Sequence, residues 1–176
     1  EYVRIIMRQV DDIGRMVDEF SAFARMPQPE MDRHSLLEIV NGQISLFASK
    51  DLSLDIEIDD AKQDYATICD AGLVRQALTN LLQNAKDSLQ EHHVAASAIR
   101  ISIGSEDDMI FITLVDNGPG FPEMDLGKLL EPYVTTRQKG TGLGLAIVSK
   151  IMEDHGGNMQ LGKADSGGAL VCLKFP

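Results

Sequence analysis

The chain has 176 residues, of which 44% are hydrophobic and only 5% aromatic, so an aliphatic core is expected in one domain with a small appendage. It carries 27 acidic and 16 basic residues, a formal net charge of −11. Nucleic acid and anionic lipid are therefore excluded as expected partners, because no cluster of positive charge offsets the repulsion. No apolar run in the sequence approaches the ~20 residues that span a bilayer. Cys69 and Cys172 lie in separate apolar runs and are expected to be buried free thiols.

The first 24 residues have the apolar spacing of a helix in a bundle or coiled coil. The apolar side chains follow in steps of three and four, at Val3, Ile6, Val10, Ile13, Val17, Phe20 and Ala24. Pro27 and Pro29 end this helix and mark a linker. An isolated helix cannot bury such a stripe, so we expect a helical partner in this chain or another.

The rest of the chain alternates between strand and helix patterns. The sequence predicts a helix over 36–46, a strand over 52–58 and a short strand over 66–69. Asp70 is a suitable N-cap for a helix over 71–90. Strands over 98–104 and 109–115, a long Gly- and Pro-containing segment over 116–142, a helix over 143–155 and strands over 158–163 and 169–175 complete the prediction. This order predicts an α/β fold with a mixed sheet and helices on one face.

Two asparagines stand four residues apart in the helix predicted over 71–90. The segment is Asn80-Leu-Leu-Gln-Asn84-Ala, and the spacing places both amides on one face. An amide oxygen is a hard ligand that suits Mg²⁺. The alternative interpretation is a pair of surface asparagines without a ligand.

A second polar segment follows the apolar strand predicted over 109–115. Asp116-Asn-Gly118-Pro-Gly120 can hold a carboxylate at the end of a strand, and its glycines allow a ligand to approach the backbone closely. The same residues also favour a tight turn without any ligand.

A third segment, Gly140-Thr-Gly-Leu-Gly144-Leu-Ala, leads into the helix predicted over 143–155. Glycines before a helix expose backbone N–H groups to an anion, commonly phosphate. The segment is neither a P-loop nor a G-x-G-x-x-G motif, since no Gly-Lys-Ser/Thr follows and position 145 is Leu. The alternative is a flexible hinge.

The order of these three segments resembles the N, G1 and G2 boxes of the ATPase superfamily that unites gyrase B, Hsp90, histidine kinases and MutL. Between the second and third segments, Leu130-Glu-Pro-Tyr133-Val-Thr-Thr-Arg137 is similar to the F box of histidine kinases. Over about residues 33–176 the chain therefore resembles the catalytic ATP-binding domain of a bacterial sensor histidine kinase. Residues 12–27 are most similar to nitrogen-regulation sensor kinases of the NtrY type.

The resemblance implies a two-layer α/β sandwich of the Bergerat type, with ATP and Mg²⁺ as cofactors. It implies that Asn84 coordinates Mg²⁺, that Asn80 is its catalytic partner and that Asp116 accepts the adenine amino hydrogen. The residues expected around ATP are Asn84, Lys86, Asp87, Asp116, Gly118, Gly120, Tyr133, Arg137, Lys139, Gly140, Thr141, Gly142, Leu143 and Gly144.

Two positions depart from the family pattern. Many relatives carry Lys or Arg three residues after the metal asparagine, where this chain has Asp87. Ala169 stands where relatives often have Thr, which removes one expected hydrogen bond on the adenine side.

The histidine that such kinases phosphorylate precedes Glu or Asp, and none of the four histidines here does so. The resemblance therefore implies a fragment: part of the second dimerisation helix (1–27), a linker (28–34) and the catalytic domain (35–176), with the acceptor histidine upstream. The expected partners are ATP, the histidine-bearing dimerisation domain and a response regulator, within a homodimeric kinase. The fragment is expected in the cytoplasm, and the full-length kinase can be anchored in the inner membrane. The alternative functions are a module of the same superfamily that binds nucleotide or a partner without catalysis, and an ATP-driven clamp, disfavoured by the F box.

Overall fold

The computed structural model describes residues 26–47, 53–58, 65–123, 125–135, 140–165 and 167–176. It also describes six isolated helical positions near the N-terminus, namely Val3, Met7, Val10, Gly14, Val17 and Ser21. The exposed fractions of Val3, Val10 and Val17 are 68%, 62% and 56%. These three members of the predicted apolar stripe are thus open to a partner, while its other members lie outside the described residues.

The described residues form three α-helices and seven strands. The strands are β1 (Asp32–Ser35), β2 (Ser53–Ile58), β3 (Ala66–Cys69), β4 (Ala98–Glu106), β5 (Met109–Asp116), β6 (Asn158–Lys163) and β7 (Ala169–Phe175). The helices are α1 (Leu36–Phe47), α2 (Ala71–Glu91) and α3 (Gly144–Asp154), with a short 3-10 helix at Leu126–Leu130. None of the described helices combines the length and apolar character needed to cross a bilayer.

Five strands form a mixed sheet in the order β2-β4-β5-β7-β6, and β1 pairs with β3 in a separate two-stranded sheet. β2 runs parallel to β4, whereas the other neighbours are antiparallel. In β5 every second residue is buried, which matches a strand with one face on the core. The helices pack on that face, so the predicted α/β fold with a mixed sheet is confirmed.

α2 is the central helix of the core. Its buried residues recur at steps of three and four and are Leu73, Val74, Ala77, Leu78, Leu81, Leu82, Ala85 and Leu89. It contacts both α1 and α3 and lies over β4 and β5. The polar residues on its remaining face therefore lie at the edge of the core.

The N-terminus of α2 is fixed by Asp70, as predicted. Its Oδ1 accepts hydrogen bonds from the backbone N–H groups of Gly72 (2.8 Å) and Leu73 (3.0 Å). Its Oδ2 accepts one from Glu30 (2.9 Å), which ties the segment before β1 to this helix. Burial raises the pKa of Asp70, but these three N–H groups outweigh it and hold the pKa below its ordinary value.

Several expectations need correction. β1 begins at Asp32, so residues assigned to the linker belong to a strand. Its sequence Asp-Arg-His-Ser lacks the apolar alternation that predicts strands. The 3-10 helix at Leu126–Leu130 was also missed; Asp125 caps it by accepting from the N–H of Gly127. Cys69 is buried and free as predicted, but free Cys172 is only partly buried.

Candidate functional site

One pocket of about 760 Å³ brings the three sequence segments together. It lies between α2, the segment after β5 and the segment that leads into α3. The predicted site residues that line it are Asn80, Asn84, Asp87, Asp116, Gly120, Gly140, Thr141, Gly142 and Gly144. Residues more than 60 positions apart in sequence thus share one cavity, which a set of unrelated turns would not produce.

Asp116 is the buried acid of this pocket, with only 5% of its surface exposed. Its Oδ1 accepts hydrogen bonds from the backbone N–H groups of Gly118 (2.8 Å) and Ala169 (3.2 Å). Burial raises the pKa of Asp116 above its ordinary value, and the two hydrogen bonds only partly offset this effect. A carboxylate held in this way can accept a hydrogen from a buried donor group of a ligand.

Ala169 contributes to this site although it has no hydroxyl. Its backbone N–H donates to Asp116, so the residue orients the carboxylate through the main chain. The family resemblance implies a side-chain hydrogen bond on the adenine side from Thr at this position, and Ala cannot form it. Gly168 next to it must be a glycine, because a Cβ there would overlap the carbonyl oxygen of Asp116.

Asn117 joins the loop after β5 to the loop after α2. Its Oδ1 accepts from the N–H of Ala98 (2.9 Å), and its Nδ2 donates to the carbonyl oxygen of Ala96 (3.0 Å). The sequence suggested only a turn residue here. The two hydrogen bonds give Asn117 a structural role, because they fix the entrance of the Asp116 loop against the loop before β4 and the first residue of β4.

Asn80 and Asn84 lie one turn apart on the face of α2 that lines the pocket. Asn84 is half-buried and faces the start of α3: a Cβ added to Gly144 would lie 3.2 Å from Asn84 Nδ2. The Nδ2 of Asn80 is buried and has no hydrogen-bond partner among the described residues. An unpaired buried amide is costly, so a ligand that accepts a hydrogen bond from it would be stabilised.

The segment before α3 is held in a specific loop conformation. The N–H of Tyr133 donates to the carbonyl oxygen of Gly142 (3.0 Å), and both residues have positive φ, 69° and 71°. A Cβ at Gly142 would lie 2.6 Å from the carbonyl carbon of Tyr133, so only glycine fits. Gly144 then begins α3, whose first backbone N–H groups and positive dipole end lie beside Asn84.

Four predicted ligand residues do not line the pocket. Lys86 lies two residues after Asn84, about 200° around the helix. Gly118 acts through its N–H on Asp116, Leu143 is buried in the core with 1% exposure, and the side chain of Tyr133 is 58% exposed. Arg137 and Lys139 fall outside the described residues.

The pocket also contains residues that no motif indicated. Ser88, Glu91 and His92 extend its wall along the last turns of α2, and Phe121 lies on the loop after Asp116. Among the described lining residues none is Lys or Arg. Asp87 lines the pocket and accepts a hydrogen bond from Gln83, so an acid occupies the position where a cation was expected.

The described residues contain no group of three His, Cys, Asp or Glu side chains that could hold a metal ion. An amide oxygen, together with oxygens that a ligand brings, could hold a divalent cation at this pocket. Asn84 is placed for this role, since it lines the pocket beside the N-terminus of α3.

The family model described as histidine kinase-, DNA gyrase B- and HSP90-like ATPase matches residues 69–176, which contain all three segments. The chain belongs to this ATPase family. Its relatives within the family include a putative NtrY-like sensor histidine kinase of Rickettsia bellii, which is 36% identical over 174 residues, covering 99% of this chain and 28% of the relative. The nitrogen regulation protein NtrY of Azorhizobium caulinodans is 46% identical over 174 residues, covering 96% of this chain and 22% of the relative.

Solved structures of histidine kinases have the same fold as this member of the ATPase family. The catalytic domain of the histidine kinase ThkA is similar with a TM-score of 0.73 at 29% identity, covering 84% of this chain and 95% of that one. Full-length ShkA in complex with AMPPNP has a TM-score of 0.80 at 22% identity, covering 99% of this chain and 38% of that one. The chain thus contains the ATPase domain of the sensor histidine kinase family and spans about a fifth of the length of its NtrY relative.

Proposed function

We propose that this domain binds ATP with Mg²⁺ in the described pocket and transfers the γ-phosphoryl group to a histidine of the dimerisation domain. The acceptor histidine lies outside this chain, and the phosphoryl group passes from it to a response regulator. The observation that carries the proposal is the placement of a buried carboxylate, Asp116, and an amide pair, Asn80 and Asn84, in one pocket. ShkA, which has the same fold, binds the ATP analogue AMPPNP.

Asp116 would recognise the adenine base. Both hydrogen bonds that Asp116 accepts from Gly118 and Ala169 fall on Oδ1, so we assign Oδ2 to the exocyclic amino group of adenine. Guanine has a carbonyl at this position, which would face the carboxylate oxygen without a hydrogen to share. Asp116 would therefore favour ATP over GTP, because a mismatched buried polar pair is costly.

The phosphates would lie between Asn84 and the N-terminus of α3. The helix dipole and the backbone N–H groups after Gly144 favour an anion there. Mg²⁺, when bound, would supply charge neutralisation that the described lining residues lack, and Asn84 Oδ1 would hold it. Asn80 Nδ2 would donate to the bound nucleotide or to its water shell and so lose its unpaired state.

Phosphoryl transfer depends on positioning and on stabilisation of charge. The side chains described here supply positioning, since base and phosphates would be fixed at separate places in one pocket. The segment 140–142, with Gly142 in a conformation that only glycine adopts readily, would serve as part of a cover that excludes water. Residues 1–27 would form part of the dimerisation helices, which would bring the acceptor histidine to the pocket. The full-length kinase would be a homodimer anchored in the inner membrane.

The proposal is tested by mixing the chain with Mg-[γ-³²P]ATP and a separate helical hairpin that carries the dimerisation histidine. Label on the hairpin that is acid-labile and alkali-stable identifies phosphohistidine and supports the kinase. The chain alone should remain unlabelled, because it has no histidine followed by an acid. ATP binding without label on any hairpin would instead favour a non-catalytic nucleotide-binding module, and no ATP binding would refute both functions.

A further inference from the structure

His92 lines the pocket although no sequence motif includes it. We propose that His92 is a nucleotide-binding residue, whose imidazole ring packs against the purine base of the bound nucleotide. The inference rests on the proposed function and adds a contact at the base end of the same pocket.

The base end of the pocket is defined by contacts around Asp116. A Cβ at Gly118 would lie 3.0 Å from Asp116 Oδ1 and 3.6 Å from Ser88 Oγ, so the Asp116 loop lies against the last turns of α2. Asn117 adds one hydrogen bond to the loop that follows the helix, at Ala96, and one to Ala98 at the start of β4. His92 comes four residues after Ser88, on the same face of the helix.

The opposite end of the pocket is marked by Asn84, which faces Gly144. His92 follows Asn84 by eight positions, about 12 Å along a helix axis. A nucleotide with its base at Asp116 and its phosphates at Gly144 would therefore place the base, not the phosphates, near His92.

The orientation of the His92 ring is fixed by its own helix. Its Nδ1 lies 2.9 Å from the carbonyl oxygen of Ser88, and a carbonyl only accepts, so Nδ1 carries the hydrogen. The anchored ring is a planar surface at the exposed rim of the pocket. Among the described lining residues only Phe121 also has a planar ring. Packing of an aromatic ring on a base contributes measurably to nucleotide binding and does not require a hydrogen bond to the base.

The experiment compares His92→Ala and His92→Phe with a matched control, His93→Asn. His93 is exposed, is not among the lining residues and has a φ of 51°, which Asn tolerates. Titration calorimetry with Mg-ATP and with Mg-2′-deoxy-ATP should show that His92→Ala weakens both nucleotides by roughly fivefold to tenfold or more. His92→Phe should retain most of the affinity, and His93→Asn should match the native chain.

Each result decides between packing of the His92 ring on the purine base and another role of His92. Unchanged affinity in His92→Ala would overturn the inference while leaving ATP binding intact. If His92→Ala weakens ATP but leaves the affinity for 2′-deoxy-ATP unchanged, the contact is with the ribose 2′-hydroxyl and the assignment to the base is wrong. If His92→Phe loses as much as His92→Ala, an aromatic ring at this position does not restore binding and the packing inference is overturned. Failure of the native chain to bind ATP would refute the proposed function itself.

Discussion

Replacement of Asp116 by Asn changes one atom at the base end of the pocket and should separate nucleotide binding from stability. We expect ATP binding to weaken by about 1.5–3 kcal/mol. The hydrogen bond from the adenine amino group to a charged carboxylate is replaced either by one to a neutral amide oxygen or by a contact between two NH2 groups. That range corresponds to roughly 10- to 150-fold in the dissociation constant. The side chain is only 5% exposed, so little compensation from water is expected. The ratio of GTP to ATP affinity should rise, because an amide can donate to the guanine carbonyl.

The same substitution should leave the fold equally stable or more stable at neutral pH. Burial raises the pKa of Asp116, so the fold favours its protonated form. The stability that this preference provides is fully present below the unfolded pKa of about 3.9 and is lost as the pH rises through the folded pKa. At pH 7 the ionised carboxylate therefore lowers the free energy of unfolding relative to a neutral group. The amide oxygen of Asn can still accept from Gly118 and Ala169.

The two effects are measured by titration calorimetry with ATP and GTP and by urea unfolding at pH 7. Asp55→Asn is the matched control, because Asp55 is exposed on β2 and does not line the pocket. Equal affinity of the native chain for ATP and GTP would refute the role of Asp116. A variant that loses stability along with binding would show that the carboxylate mainly supports the fold.

Three further predictions concern other parts of the domain. Asn84→Ala should abolish the Mg²⁺ dependence of ATP binding in calorimetry, whereas Gln90→Ala, exposed on the same helix, should not; an unchanged Mg²⁺ response in Asn84→Ala would place the metal elsewhere. Asp70→Ala should lower the free energy of unfolding by about 1–2 kcal/mol at pH 7, through loss of the helix cap. Because the folded pKa of Asp70 is lowered, its contribution to the free energy of unfolding is present above pH ~3.9 and is lost as the pH falls through the folded pKa. If the difference in free energy of unfolding between the native chain and Asp70→Ala stayed constant in acid, the ionised carboxylate would not be its cause. Iodoacetamide at pH 8 should label Cys172 well before Cys69, because burial raises the pKa of Cys69 to about 11; mass spectrometry showing equal rates would disprove the difference.

Much of the fold was predictable because its elements carry strong local patterns. The strand over 66–69 and the helix that follows Asp70 have their predicted starts, since a cap residue and a change of apolar period mark the boundary. Asp32–Ser35 and Leu126–Leu130 were missed for the opposite reason. A four-residue polar strand is stabilised by pairing with Ala66–Cys69 and not by its own sequence, so local patterns give no indication of it.

The site was predicted as far as its residues belong to motifs. Asp116, Asn84 and the glycines before α3 line one pocket as expected. His92 has no motif, because it reaches the pocket by following two turns after Asn84 on a long helix. The charge of Lys86 and its closeness in sequence to Asn84 predict a contact with ATP, but its angular position on the helix differs from that of Asn84 by about 200°, and it does not line the pocket.

Within the described part of the chain, the carboxylate of Asp116 accepts hydrogen bonds from two peptide N–H groups, those of Gly118 and Ala169. Every residue type except proline supplies a peptide N–H group. Position 169 can therefore carry other side chains without loss of its hydrogen bond to the Asp116 carboxylate. Position 168 has no such freedom, because any side chain there would strike the neighbouring strand. Position 169 in β7 thus tolerates substitution, whereas position 168, directly before it, does not. Both properties follow from the close approach of this segment to the backbone at Asp116.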